Sequence, residues 1–298
     1  MAMLNAMSSF IPKLSIINGL VDKIPVAEGT EWFTDEVKDK FSFLFEPIKN
    51  YFGSFMEWTA SSLSLIPPSI LIIIIVISAF FISGRKFGLA AFSAVGMWLI
   101  YNQGLWEHLM ETFSLVLISS LLAVIIGVPI GILMSKSKIA SVIIEPILDF
   151  MQTMPAFVYL IPAVAFFGIG MVPGVFASLI FATPPTVRFT NLGIRQVSTE
   201  LVEAADAFGS TGAQKLFKVE LPMARATIMA GINQTVMLSL SMVVIASMIG
   251  APGLGREVLS ALQRSQVGTG FVAGIGIVIL AIIIDRFTQN VNKDKAKN

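Results

Sequence analysis

Chemistry in this chain has few residues to draw on. There is one histidine, His108, beside Glu107, and there is no cysteine. A nucleophile–base pair or a set of metal ligands needs more than that. Neither H-E-x-x-H nor G-x-x-x-x-G-K-S/T occurs, so zinc hydrolysis and nucleotide hydrolysis by this chain are not expected. Gly209 and Gly212 lack the spacing and the Lys–Ser/Thr pair of a phosphate loop. No catalytic residue, metal ligand or bound cofactor is assigned, and His108 reads as an interfacial residue. Two polar sets remain. Residues 203–222, EAADAFGSTGAQKLFKVELP, form a compact charged segment between hydrophobic blocks. Asn233, Gln234, Thr235, Ser239 and Ser241 interrupt one such block. The first set suits a grip by a soluble partner; the second suits a small polar solute.

The elements that must position these sets are membrane helices. The chain has 298 residues, of which 55% are hydrophobic and 13% charged, with mean hydropathy +0.82. A soluble domain carries about 25% charged residues. The expected fold is therefore all-α, a polytopic transmembrane helical bundle. Seven spans are expected: residues 65–83, 87–102, 108–134, 152–169, 175–192, 226–249 and 267–284. The region 143–170, with Pro155 and Pro162, either crosses or re-enters. Gly127, Pro129 and Gly131 predict a bend or a close helix contact. Pro184 and Pro185 are expected near the end of their span, residues 170–174 as a turn, and 249–258 as a glycine-rich turn. Residues 1–20 lack a basic start followed by one apolar core, so no cleavable signal peptide is expected.

Residues 1–64 are the least hydrophobic part and carry an excess of acidic side chains. Within them a short helix starting at Pro47 would align Ile48, Tyr51, Phe52, Phe55 and Thr59, either on the bilayer surface or against the spans. Most of the 20 Lys and Arg residues fall on one side of a seven-span layout, including the short turns at Arg85–Lys86 and Lys136–Lys138. That side is expected to be cytoplasmic. It holds residues 203–222 and the C-terminus, and it leaves the N-terminus outside. Glu145 and Asp149 are expected to pair near Lys136 and Lys138, and Asp285–Arg286 to cap the last span.

Residues 198–222 read as a helix–turn–helix finger. Ser198 followed by Glu200 is a helix start. Leu201, Ala204, Ala205 and Phe208 give a small apolar face, and Gly209 permits a sharp turn. Thr211 to Val219 reads as a second short helix, with Ala213, Leu216 and Phe217 as contacts. Pro222 closes the finger and prepares the next span. The competing reading is a loop that touches only its own chain.

Glu203-Ala204-Ala205, Gly209, Val219 and Leu221-Pro222, at their spacing, resemble the EAA motif of bacterial ABC-importer permeases, with valine at the usual isoleucine. Residues 151–170, 181–197, 226–250 and 274–286 look like permeases of the glycine betaine/proline betaine class. The resemblance covers roughly 65–287, most clearly from 110 onward; residues 1–64 are poorly covered. It implies a type I importer (MetI-like) permease fold, with a membrane domain at 65–287, a cytoplasmic coupling loop at 198–222 and a cytoplasmic tail at 288–298. It further implies two permease copies, two cytoplasmic ATPases holding ATP and Mg, and an external substrate-binding protein on a separate chain. The solute would be a quaternary ammonium osmolyte. Nucleic acid has no place in this scheme. The motif places Glu203, Ala204, Ala205, Gly209, Leu221 and Pro222 in or beside the element that docks on the ATPase.

For the translocation path the residues themselves suggest Asn233, Gln234, Met237 and Ser241, with Phe157 and Tyr159 beside the prolines. Ala230, Gln234, Met237 and Ser241 share a helical line. Serines bonded to their own backbone and methionines filling gaps are the plainer reading of the same residues. A secondary transporter driven by an ion gradient is the alternative class, since prolines within spans suit it too.

Overall fold

The computed structural model describes residues 26–85 and 87–293. Residues 1–20, where no cleavable signal peptide is expected, lie outside the described residues, as do Lys86 of the basic turn and the end of the polar tail at 294–298. Every regular element among the described residues is helical. Helices suit a lipid phase because they satisfy their backbone internally. The chain divides into two units, 1–44 and 45–298. In the first, α1 (Val26–Lys40) buries none of its residues and carries an exposed i,i+4 ion pair, Lys40–Glu36.

Helix α2 (Ser42–Pro47) passes through a π turn (Ile48–Phe52) into α3 (Gly53–Leu65). Pro47 closes α2, so it does not open a new helix as expected. The wider π turn also shifts the phase of the faces. Packing runs through Phe52, Met56 and Ala60, while Tyr51 and Phe55 are exposed. At Pro67–Pro68 the path bends by 90° into α4 (Pro68–Ile82). Helix α5 (Phe87–Asn102) falls where the hydropathy places it.

The centre of the second unit is three long helices: α6 (Trp106–Lys136), α9 (Met171–Arg195) and α12 (Leu221–Ala246). They approach closely because small residues line the seams. A Cβ on Gly131 would stand 2.6 Å from both Thr190 Cβ and the Val187 carbonyl. On the other side of α9, a Cβ on Gly231 would stand 2.5 Å from Phe189 Cβ. The Thr235 hydroxyl donates to the Ala182 carbonyl at 2.9 Å and bonds the Thr186 hydroxyl at 2.7 Å. Pro184 and Pro185 sit inside α9, not near its end, and the helix continues to Arg195. Buried packing on both faces outweighs the two lost backbone bonds.

Residues 143–170 do not form one straight span over 152–169. Helix α7 (Lys138–Thr153) breaks at Met154–Pro155, passes through a 3-10 turn (Ala156–Tyr159), and bends by 110° into α8 (Leu160–Phe167). Proline is the cause: Pro155 has no N–H to offer the carbonyl of Met151. The Tyr159 hydroxyl donates to that carbonyl instead. The following turn lies at 168–170, earlier than expected, and α9 begins at Met171. Beyond α12 a short 3-10 turn (Ser247–Ile249) leads to a tight corner. There the Leu254 N–H donates to the Thr112 hydroxyl at 2.8 Å. The glycine-rich stretch then continues as a further helix, α13 (Leu254–Gln263), before α14 (Val267–Lys293). Asp285–Arg286 do not cap the last helix, which runs on into the polar tail.

Among the described residues, three helical stretches are long and apolar enough to cross a membrane: Trp106–Lys136, Gly212–Ile249 and Val267–Gln289. The count reaches five if each bent pair is one span, and α5 is shorter. Seven passes therefore do not follow from length and composition alone. Helix α9 illustrates why: its 25 residues rise about 37 Å, but its seams are threonine, glycine and proline.

Candidate functional site

The finger is built as two arms and a knuckle. Helix α10 (Thr199–Ala207) is the first arm. Its end is a Schellman turn: the Ser210 N–H donates to the Ala205 carbonyl at 3.0 Å and the Gly209 N–H to the Asp206 carbonyl at 2.9 Å. The geometry needs a left-handed residue, and Gly209 supplies it at φ +76°. The second arm begins at Thr211 with a capping box. The Thr211 hydroxyl accepts from the Gln214 N–H, and the Gln214 side chain accepts from the Thr211 N–H at 2.9 Å. Helix α11 (Gly212–Lys215) then widens into a π turn (Leu216–Glu220) that runs into α12. Lys215 Nζ reaches both carboxylate oxygens of Asp206 at 2.8 Å, which ties the arms together. Ser198 differs from expectation. Its hydroxyl donates to the Glu200 carboxylate at 3.0 Å and makes no cap bond.

Exposure divides the finger into an inner and an outer side. Ala205 is buried. Leu201, Phe208 and Phe217 are exposed, Phe208 by 89%. Glu203, Ala204 and Gly209 lie on the exposed side, and Pro222 is exposed at the root beside half-buried Leu221. An exposed apolar knuckle of this kind marks a surface suited to being covered.

Both roots of the finger are fastened to the last turn of α6. Arg195 donates to the carbonyl of Met134 at 3.0 Å. Lys136 pairs with Glu220, whose carboxylate is almost wholly buried. Glu220 carries no signal of this role in its local sequence, where it stands between motif positions. Lys136 therefore does not turn to Glu145 or Asp149, the partners its position suggests. Asp149 pairs instead with Arg188 of α9. Helix α7 packs against α9 as well as α6, which puts Arg188 within reach of Asp149.

The second polar set separates into two faces of α12. Gln234 and Ser241 are exposed and Met237 is half-buried between them. The Ser241 hydroxyl returns to the Met237 carbonyl at 3.1 Å. Asn233 faces α14, where its amide donates to Asp285 at 3.0 Å and its oxygen accepts from Thr288. Gln289 also donates to Asp285. Phe157 is 59% exposed, whereas Tyr159 is buried edge-on against Phe181 with its hydroxyl engaged at the proline break. His108 faces Glu111 at 3.1 Å and Glu257 at 3.4 Å, not its neighbour Glu107.

The family described as "Binding-protein-dependent transport system inner membrane component" matches residues 123–297. The glycine betaine/carnitine transport permease protein GbuB of Listeria monocytogenes is 59% identical over 280 residues, 93% of this chain and 99% of that one. The glycine betaine transport system permease protein OpuAB of Bacillus subtilis is 51% identical, covering 92% and 96%. The glycine betaine/proline betaine transport system permease protein ProW of Escherichia coli is 46% identical, covering 90% and 74%. Among solved structures, an inward-facing MetNI methionine ABC transporter matches with TM-score 0.57 at 22% identity, over 65% of this chain and 95% of that chain.

Proposed function

The chain belongs to the family of binding-protein-dependent transport system inner membrane components, and from that premise we propose that it is the permease subunit of an ATP-driven importer for glycine betaine or a related quaternary ammonium osmolyte. Two copies form the path, two cytoplasmic ATPases hold ATP and Mg and supply the energy, and a separate external protein delivers the solute. The exposed knuckle around Gly209 is the observation that carries the reading. It gives a soluble motor something to grip on a chain with no motor of its own.

In this scheme Leu201, Phe208 and Phe217 seat in a groove of the ATPase, with Glu203, Ala204, Ala205, Gly209, Leu221 and Pro222 setting the shape of the docked element. ATP favours one of two packings of the membrane unit, and the finger carries that preference inward. The finger and the C-terminus lie in the cytoplasm, and the N-terminal region lies outside. Gln234, Met237 and Ser241 of α12 face the path, together with Phe157. A path with few charges suits a solute without net charge, and the cation is recognised by aromatic rings on the delivering protein. Asn233 and Tyr159 shape the path from behind, through Asp285 and the Met151 carbonyl.

Reconstitution with the ATPase and the delivering protein tests the proposal. Vesicles should accumulate labelled glycine betaine only with ATP in the motor's compartment, and vanadate should stop uptake. Accumulation by the chain alone under a sodium or proton gradient would establish the ion-driven alternative in its place.

A further inference from the structure

We propose that the Lys136–Glu220 pair is a positioning strut that makes α6 move together with the finger. The inference rests on the function proposed above and assigns a part to two residues outside the motif. Glu220 is the last residue of the π turn, and its side chain is 6% exposed. Lys136 is the last residue of α6, 84 positions away in sequence. Its side chain is 39% exposed, so one end of the pair reaches the surface.

The π turn is the reason a strut is needed. Residues 216–220 lie between the knuckle and α12, and π turns are among the places where helices kink. A push on the knuckle can be absorbed there by bending. The ion pair bypasses the turn by fixing its end to a third helix. The other root of the finger is tied to the same place, because Arg195 donates to the carbonyl of Met134 in the final turn of α6. The two ties make the ends of α6, α9 and α12 one platform under the finger.

Stability alone explains this pair poorly. A buried ion pair can often be exchanged for apolar residues without loss, whereas fixing the register of its neighbours is its best-attested use. Registry is what transmission through a soft turn requires.

The test compares wild type, Glu220→Gln, and the reversed pair Lys136→Glu with Glu220→Lys, each in the full complex in vesicles. Uptake, ATP hydrolysis and the half-saturating solute concentration are measured per folded complex. Glu220→Gln should lower the solute carried per ATP by about 2- to 30-fold, the usual span of a coupling contact. Its half-saturating concentration should stay at the wild-type value, and the reversed pair should recover part of the ratio. A ratio equal to wild type in Glu220→Gln would overturn the strut, as would a reversed pair no better coupled than the single variant. If Glu220→Gln does not accumulate, Lys136→Gln probes the pair from its exposed end: a lowered ratio supports the strut and a wild-type ratio overturns it. Wild-type vesicles that show no ATP-driven uptake would instead overturn the proposed function.

Discussion

At the scale of single residues, neighbours on α12 have opposite duties. Asn233 is held by Asp285 and Thr288, so Asn233→Ala removes one of two side-chain donors to a half-buried carboxylate, Gln289 being the other. We expect a loss of about 0.5–1.5 kcal/mol in stability, read as a lower melting temperature in detergent. Gln234 is exposed and has no such partner in the described contacts. Gln234→Ala should leave melting unchanged and shift the solute concentration that half-saturates uptake. A change in abundance alone would make Gln234 a packing residue. Gly209 gives a second contrast. An added Cβ there meets nothing within 4 Å, but the backbone is left-handed. Aspartate is among the better-tolerated residues in that region. Gly209→Asp should therefore insert normally and fail in ATPase docking and uptake, because the new charge stands on the knuckle. Normal ATP-driven uptake by that variant would contradict the proposed docking.

At the scale of elements, the finger is a small structure with its own fastenings. The Thr211–Gln214 box starts an arm only four α-helical residues long. Thr211→Ala should cost about 0.5–2 kcal/mol of local stability, seen as faster amide exchange over 211–220 with the membrane helices unchanged. Much of this element is readable from the chain: Gly209 marks the turn, and Thr211 marks the second start. Its fastenings are not. Lys136–Glu220 and Arg195–Met134 join residues far apart in sequence, and nothing local announces them. The same limit explains the proline regions. Pro155 announces a break, but not the 110° bend or the Tyr159 hydroxyl that takes up the Met151 carbonyl there. Pro184–Pro185 suggest an ending that buried packing overrides. Phe52 of the π turn packs with Met56 and Ala60 of α3 because that turn shifts the phase, which apolar spacing does not encode.

At the scale of the whole molecule, α6, α9 and α12 form a close-packed block with an exposed knuckle at one end. Small residues keep that block tight, so displacement at its end is shared and not dissipated. Helical class is legible from composition, and the sequence places helices at α5 and α9, but α5 is short and α9 polar along its seams, so length and composition do not fix the number of passes. The central claim is that the knuckle seats in a cytoplasmic motor. The chain has no cysteine, so Phe208→Cys introduces a single labelling point. An impermeant maleimide applied to the transporting complex measures which side that point faces and whether the motor covers it. We predict reaction only from the cytoplasmic side, and protection when the ATPase is bound. Labelling from the external side in an actively transporting complex would contradict the claim.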